Sequence, residues 1–99
     1  METKSIVIEK NNIKEKIPKK YKVLMYNDDF TTMEFVVAVL MDIFNKSMDE
    51  ASSIMMEVHN KGKGIAGIYP FDIAISKLNK AQNLASKEGF PFKLTVEEE

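Results

Sequence analysis

The 99-residue sequence contains no cysteine and no arginine, and only four glycines and three prolines. The lack of cysteine excludes disulfides, thiolate metal sites and a cysteine nucleophile. All 14 basic residues are lysine, which lacks the planar fork that arginine uses to contact guanine, so we expect no sequence-specific binding to nucleic acid. No apolar run is long enough to cross a bilayer and no signal peptide opens the chain. We therefore expect a cytoplasmic protein without a membrane segment.

The composition that remains is that of one small globular domain, with 44% hydrophobic and 29% charged residues. Charge is spread unevenly, since residues 1–20 hold six Lys and three Glu whereas residues 21–99 hold eight Lys and twelve acids. Only Ile6-Val7-Ile8 is compactly apolar within the first 20 residues, so we expect residues 1–20 to form a flexible N-terminal extension. The mildly acidic remainder, 21–99, suits a cationic ligand better than a phosphate group.

Local patterns predict the first strand and the first two helices. Residues 21–26 (YKVLMY) are typical of a strand. Thr31 and Glu34 match a capping box, with Thr31 as the N-cap of a first helix. Ser47 and Glu50 match a second capping box, and Gly62 is a plausible end for the second helix. Apolar residues recur at helical spacing behind each cap.

The second half of the sequence predicts two further strands around a third helix. Residues 64–69 (GIAGIY) indicate a short strand whose two glycines favour close approach of other groups. Pro70 suits the first turn of a helix that Gly89 ends, and residues 92–96 alternate as a half-buried strand. The order is β-α-α-β-α-β. We predict an α+β fold in a single two-layer domain, with three helices packed on one face of a three-stranded, mostly antiparallel sheet.

Three groups of residues are candidates for chemistry: the triplet Asn27-Asp28-Asp29 after the first strand, the single histidine His59, and a set of large apolar residues, Met33, Val36, Met55, Val58 and Phe92. The two aspartates offer oxygen ligands for a hard cation, but too few for an EF-hand. A lone histidine near a helix end is typically a residue that satisfies the helix dipole, and methionines typically fill cores. No nucleophile elbow, phosphate loop or zinc-helix motif is present.

One ligand would unite the three groups. If the second helix packs beside residues 27–29, Asn27, Asp28 and a neutral His59 would surround a small cation with hydrogen-bond acceptors. The apolar residues would then line a cavity behind that cation. A free protein N-terminus has this chemistry, because its ammonium group stands next to one hydrophobic side chain.

The sequence Tyr-Asn-Asp-Asp-Phe-Thr-Thr-Met-Glu-Phe-Val-Val at 26–37, with Val-His-Asn-Lys-Gly-Lys at 58–63 and then Gly67, closely resembles the ClpS family. The resemblance covers about 80 residues, from Lys20 to the C-terminus. Members of that family are adaptors of Clp-type AAA+ unfoldase–proteases. They bind proteins that carry an N-degron, chiefly Leu, Phe, Tyr or Trp as the first residue.

The resemblance implies a role for each matching residue. Contact with the substrate's α-amino group and first peptide unit falls to Asn27, Asp28 and His59. The pocket for the first side chain is implied to be lined or supported by Asp29, Thr31, Met33, Val36, Met55, Val58 and Phe92. The residue that matches Met33 acts in the family as a gatekeeper against β-branched side chains. The N-terminal domain of the unfoldase is implied to face Asp72 and Lys77.

Two positions depart from the family pattern. Thr32 stands where family members usually have proline, and we expect little change because Thr31 can still cap the helix. Phe92 is bulkier than the usual aliphatic residue, so it is expected to shift the preference among first residues. The resemblance also implies a non-enzymatic protein that needs no cofactor or metal and is a monomer when free.

Two other functions fit the same fold class. An interaction domain of the ribosomal-stalk type would bind a partner without a ligand pocket, but it would leave Asn27, Asp28 and His59 without a joint purpose. A small metal-dependent hydrolase would use the aspartates, and one equivalent of tightly bound metal in the purified protein would support it.

Overall fold

A computed structural model describes residues 17–99. Its elements are, in chain order, β1 (Tyr21–Tyr26), α1 (Met33–Asp42), α2 (Met48–Lys61), β2 (Lys63–Tyr69), α3 (Phe71–Glu88) and β3 (Leu94–Glu98). The predicted order β-α-α-β-α-β is thus confirmed. The expected extension 1–20 lies outside the described residues except for 17–20, which are exposed and form neither helix nor strand.

The sheet has three strands in the order β2-β1-β3, and both pairings are antiparallel. Strand β1 is therefore central, with Val23 opposite Gly67 on one side and Val96 on the other. The pairing with β2 is irregular between Val23 and Leu24. Since β1 is flanked on both edges, the loop that follows it leaves the sheet at its middle, between the ends of the other two strands.

The helices cover one face of this sheet. Helices α2 and α3 pack on the strands, whereas α1 packs chiefly on α2. Apolar side chains from all six elements and the turns between them form one core cluster: Val23, Met25, Val36, Val39, Leu40, Phe44, Ala51, Val58, Ala66, Ala74, Ala81, Ala85, Phe92 and Leu94. Burial of these apolar side chains is the main contribution to the free energy that holds α1 and α2 in place on the rest of the fold.

The start of α1 differs from the prediction by one residue. Thr32, not Thr31, is the N-cap, because its hydroxyl accepts a hydrogen bond from the N–H of Phe35 at 3.1 Å. The hydroxyl of Thr31 instead donates to Asp28 at 2.7 Å, so it is already used within the preceding loop. Glu34 therefore lies at the second helical position rather than the third.

The ends of α2 agree with the prediction. Ser47 caps the helix, and its reciprocal hydrogen bonds with Glu50 complete a capping box. Gly62 ends the helix in the left-handed conformation with φ of 91°. A residue with a side chain would be strained in this backbone conformation. The chain turns directly from this glycine into β2.

Other predicted boundaries shift by one or two residues. Strand β2 begins at Lys63, α3 begins at Phe71 just after Pro70, and β3 begins at Leu94. Phe92 therefore precedes the last strand instead of opening it. Gly89 ends α3 in the left-handed conformation, as predicted.

The glycines of β2 do allow close approach of other groups. A Cβ atom on Gly64 would lie 3.0 Å from Cγ2 of Val58 on α2, and one on Gly67 would overlap the ring of Tyr69. Gly64 thus lets α2 lie close to the sheet. Among the described residues, none of the helices combines the length and the apolar character that crossing a bilayer requires.

Candidate functional site

A cavity of about 410 Å³ opens between the β1–α1 loop, the first turn of α1 and the C-terminal half of α2. This volume lies within the range of small-ligand sites, about 300–1,000 Å³. The residues that line the cavity are Asn27, Asp28, Asp29, Phe30, Thr31, Thr32, Met33, Glu34, Val36, Met55, Val58 and His59. Every residue predicted for the substrate site is among them except Phe92.

A backbone hydrogen bond brings the loop and α2 together. The N–H of Asn27, at the exit of β1, donates to the carbonyl of Gly62 at 2.9 Å. The N–H of Tyr26 donates to the carbonyl of Lys93 at 3.0 Å on the other side. Because Gly62 ends α2, these two bonds fix Asn27 beside the last turn of that helix, where His59 is located.

Asp28 organises the loop through three hydrogen bonds. Its Oδ1 accepts from the N–H groups of Phe30 and Thr31 at 2.8 and 2.7 Å, and its Oδ2 accepts from the Thr31 hydroxyl at 2.7 Å. Burial by itself raises the pKa of the Asp28 carboxyl, but these hydrogen bonds together outweigh it and hold the pKa below its usual 3.8. The carboxylate is therefore ionised at neutral pH, and Oδ2 retains capacity to accept from a ligand.

The interior of the cavity is apolar and its rim is polar. Val36 from α1 and Val58 from α2 line it, and both are buried. Met55 is half-buried beside them, and Met33 stands at the opening with 42% of its surface exposed. At the rim, Asn27 and His59 are exposed to solvent.

The charge at the rim favours a cation. The ionisable residues that line the cavity are Asp28, Asp29, Glu34 and His59. Three of these four side chains are acidic. Within residues 17–99 no group of three or more His, Cys, Asp or Glu side chains is placed to hold a metal ion. The arrangement offers hydrogen-bond acceptors and negative charge at the rim, with an apolar space behind them.

The structure places Phe92 in the core instead of on the cavity wall. The side chain is only 2% exposed, and its ring meets that of Phe35 edge-to-face with 6.0 Å between centroids. Its carbonyl accepts a hydrogen bond from Nε2 of Gln82 at 2.5 Å. Phe92 therefore contacts α1 through Phe35 and α3 through Gln82, and it does not line the cavity.

Three lining residues were not predicted: Phe30, Thr32 and Glu34. Phe30 is 73% exposed. A large aromatic residue in an otherwise polar loop is a sequence feature that could have indicated a binding role for it. Thr32 and Glu34 flank Met33 at the start of α1, which begins one residue later than the capping pattern indicated. No signal in the sequence distinguishes that register.

Asp72 and Lys77 lie on α3, away from the cavity. Asp72 is exposed in the first turn of the helix. The ammonium of Lys77 donates to the carbonyl of Ile43 at 2.6 Å and to Oδ1 of Asn45 at 3.0 Å, and it lies 5.3 Å from the ring centroid of Tyr69. Lys77 therefore ties α3 to the turn between α1 and α2.

Known proteins match this chain over most of its length. A family model described as "ATP-dependent Clp protease adaptor protein ClpS" matches residues 16–95. The ClpS of Clostridium acetobutylicum is 52% identical over 91 residues, covering 88% of this chain and 90% of the relative. The ClpS of Acetivibrio thermocellus is 44% identical over 99 residues, covering all of both chains.

A solved structure agrees with the sequence comparisons. Agrobacterium tumefaciens ClpS2 bound to L-phenylalaninamide has a TM-score of 0.80 and 40% identity to this chain, covering 84% of this chain and all of that one. The relatives found by sequence and the one found by structure are thus all ClpS proteins. The chain belongs to the ClpS family of ATP-dependent Clp protease adaptor proteins.

Proposed function

We propose that this protein binds the free, bulky hydrophobic N-terminal residue of other proteins, namely Leu, Phe, Tyr or Trp, and delivers those proteins to a Clp AAA+ unfoldase–protease. The observation that carries the proposal is the cavity that joins an acidic, acceptor-rich rim to an apolar interior. A protein N-terminus presents the complementary pair, an ammonium group beside one side chain.

The rim supplies the partners for the ammonium group. In the proposal Asn27 and His59 accept hydrogen bonds from it through their side chains, and Oδ2 of Asp28 supplies negative charge. A buried polar group left without a partner costs about 1–3 kcal/mol, and more if it is charged. Acetylation removes the charge and two of the donors, so the site rejects an acetylated N-terminus.

The interior supplies the space for the side chain. Val36, Met55 and Val58 offer an apolar wall, and burying a Leu or Phe side chain contributes about 1.5–3 kcal/mol. Met33 narrows the opening. A β-branched side chain is widest at its first carbon, where the opening is narrowest, so Val and Ile are rejected.

The comparison structure supports this reading. L-phenylalaninamide, which Agrobacterium tumefaciens ClpS2 holds, has a free α-amino group next to an aromatic side chain. It is therefore a minimal N-terminal residue of the proposed class. Binding without bond breakage accounts for the roles assigned to these lining residues, so we propose an adaptor without catalytic residues.

The binding test is a fluorescence anisotropy titration with peptides that differ only at the first residue. Peptides that begin with free Leu, Phe, Tyr or Trp are expected to bind at least about tenfold more tightly than acetyl-Leu or Val peptides. Equal affinity for all of them would refute the proposal.

Matched variants assign the roles of single residues. Asn27→Ala should weaken Leu-peptide binding, whereas Asn60→Ala, an exposed asparagine next to His59, should not. Met33→Ala should admit Val and Ile peptides. Met56→Ala is its control, because Met56 is exposed to nearly the same extent, 43% against 42%, but does not line the cavity.

Delivery requires a second surface, which we propose to include Asp72 on α3 and the segment that Lys77 holds. Asp72→Lys should weaken binding to the N-terminal domain of a Clp-type unfoldase and leave peptide affinity unchanged. Asp49→Lys is the control, since Asp49 is also an acid in the first turn of a helix. Equal effects of the two variants would exclude Asp72 from the interface.

A further inference from the structure

A second apolar groove lies beside the cavity. It has a volume of about 420 Å³ and runs along α1 where α1 faces α2. The residues that line it are Met33, Glu34, Val37, Ala38, Met41 and Met55. Capture of one N-terminal residue in the first cavity leaves this groove without a role.

The groove is continuous with the proposed N-terminal-residue cavity. Met33, Glu34 and Met55 line both, so the two spaces share a wall made of two flexible thioether side chains. When the first side chain of a substrate enters the cavity past Met33, the rest of the substrate chain extends away from the cavity next to the groove. The groove is therefore positioned to meet the residues that follow the first.

The dimensions agree with an extended peptide. Met33, Val37 and Met41 lie on successive turns of α1, about 6 Å apart along the helix axis. An extended chain advances about 3.3–3.4 Å per residue, so two residues span one turn. If the chain begins at Met33 and runs along α1, its second residue lies between Met33 and Val37, and its third lies over Val37 and Ala38.

We propose that this groove is a secondary specificity site that takes an apolar side chain from the second or third residue of the substrate; the inference rests on the proposed function. Methionine side chains adapt to different apolar shapes, and Ala38 leaves space above the helix. Glu34 is the one ionisable residue among those that line the groove. The groove therefore favours apolar side chains and rejects acidic ones near the N-terminus.

The experiment uses the full chain and fluorescent peptides with Leu fixed at the first position. Leu, Ser or Asp is placed at the second or the third position, one at a time, and affinity is measured by anisotropy. We expect Leu at one of these positions to bind about five- to tenfold more tightly than Ser, and Asp more weakly than Ser. Glu34→Gln should reduce the difference in affinity between the Ser peptide and the Asp peptide.

Ala38→Gln tests the location. Ala38 is exposed on a helix and lines the groove but not the cavity, so glutamine fills the groove without disturbing the core. The variant should reduce the preference for Leu over Ser to less than about twofold and leave the affinity of the Leu-Ser-Ser peptide unchanged. Ser53→Gln, at an exposed position of α2, is the control.

Each other result overturns the inference. Discrimination at the first residue without any at the second or third leaves the proposed function intact and removes the secondary site. A preference that survives Ala38→Gln places the site elsewhere. If sedimentation velocity shows self-association that Ala38→Gln abolishes, the groove is an interface between copies of the chain. Loss of selectivity at the first residue itself would refute the proposed function.

Discussion

The three hydrogen bonds that Asp28 accepts within its own loop lead to a specific prediction about loop order and binding. Hydrogen bonds to a charged group contribute about 1.5–3 kcal/mol when shielded from water, but Asp28 is only half-buried. We therefore assign a contribution of about 1 kcal/mol to each of the three hydrogen bonds. Asp28→Ala removes all three and should destabilise the loop by about 2–3 kcal/mol, whereas Thr31→Val removes only the hydroxyl bond and should cost about 1 kcal/mol.

The consequence for binding follows from the fraction of molecules in which the loop is ordered. Each 1.4 kcal/mol corresponds to a tenfold change in an equilibrium, so Thr31→Val should weaken Leu-peptide binding up to about fivefold although it changes no charge. Asp28→Ala should weaken it by more than tenfold. Affinity is measured by anisotropy and global stability by urea denaturation followed by circular dichroism.

Two comparisons make this reasoning refutable. Asp29→Asn removes the same charge one residue away and should weaken binding less than Asp28→Asn. If Thr31→Val leaves both affinity and stability unchanged, Asp28 does not act by ordering the loop. A double-mutant cycle between Asp28→Asn and Thr31→Val should show coupling, because the residues share a hydrogen bond.

The pH dependence of stability has a defined sign. The pKa of Asp28 is lowered in the folded state, so its contribution to stability is fully present above the unfolded pKa and is lost as pH falls through the folded pKa. The stability difference between wild type and Asp28→Asn should therefore be constant from pH 7 to 5. It should narrow only below about pH 4.

Three further predictions concern the fold that holds the site, and urea denaturation measures each. Thr32→Ala removes the N-cap of α1 and should cost about 1 kcal/mol, whereas Thr32→Ser should cost little; an equal cost for the two would exclude the capping role. Gly67→Ala places a methyl group on the ring of Tyr69 and should cost about 1–3 kcal/mol; an unchanged midpoint would mean that the ring moves freely. Lys77→Met removes the hydrogen bond to the Ile43 carbonyl and should cost about 1 kcal/mol; no loss would leave Lys77 free to act only at an interface.

Several features of the fold were predictable because they depend on residues close in sequence. The capping box at Ser47 and the left-handed glycines at 62 and 89 set three helix ends, and local backbone chemistry suffices for each. The strand 21–26 was correct at both ends. Its central place in the sheet, by contrast, depends on pairing with strands that lie far away in sequence.

Two predictions failed because interactions beyond the local sequence pattern decided the outcome. Thr31 and Thr32 are both good N-caps, and only the hydrogen bonds of Asp28 decide which hydroxyl is left for the helix. Phe92 fits an alternating strand pattern, but packing against Phe35 draws it into the core before the strand begins. A hydrogen bond within the loop decides the first case, and packing against a residue distant in sequence decides the second.

The sequence by itself determined the fold class, the family and most of the residues that line the cavity, because the family motifs and the apolar spacing lie in contiguous segments. Only the tertiary structure decided that Asn27 stands beside the last turn of α2, since that requires the hydrogen bond to Gly62 across the fold. It also decided that Phe92 lies in the core and that Lys77 is bound to the turn after α1. These features arise from contacts between residues distant in sequence, which no local pattern encodes.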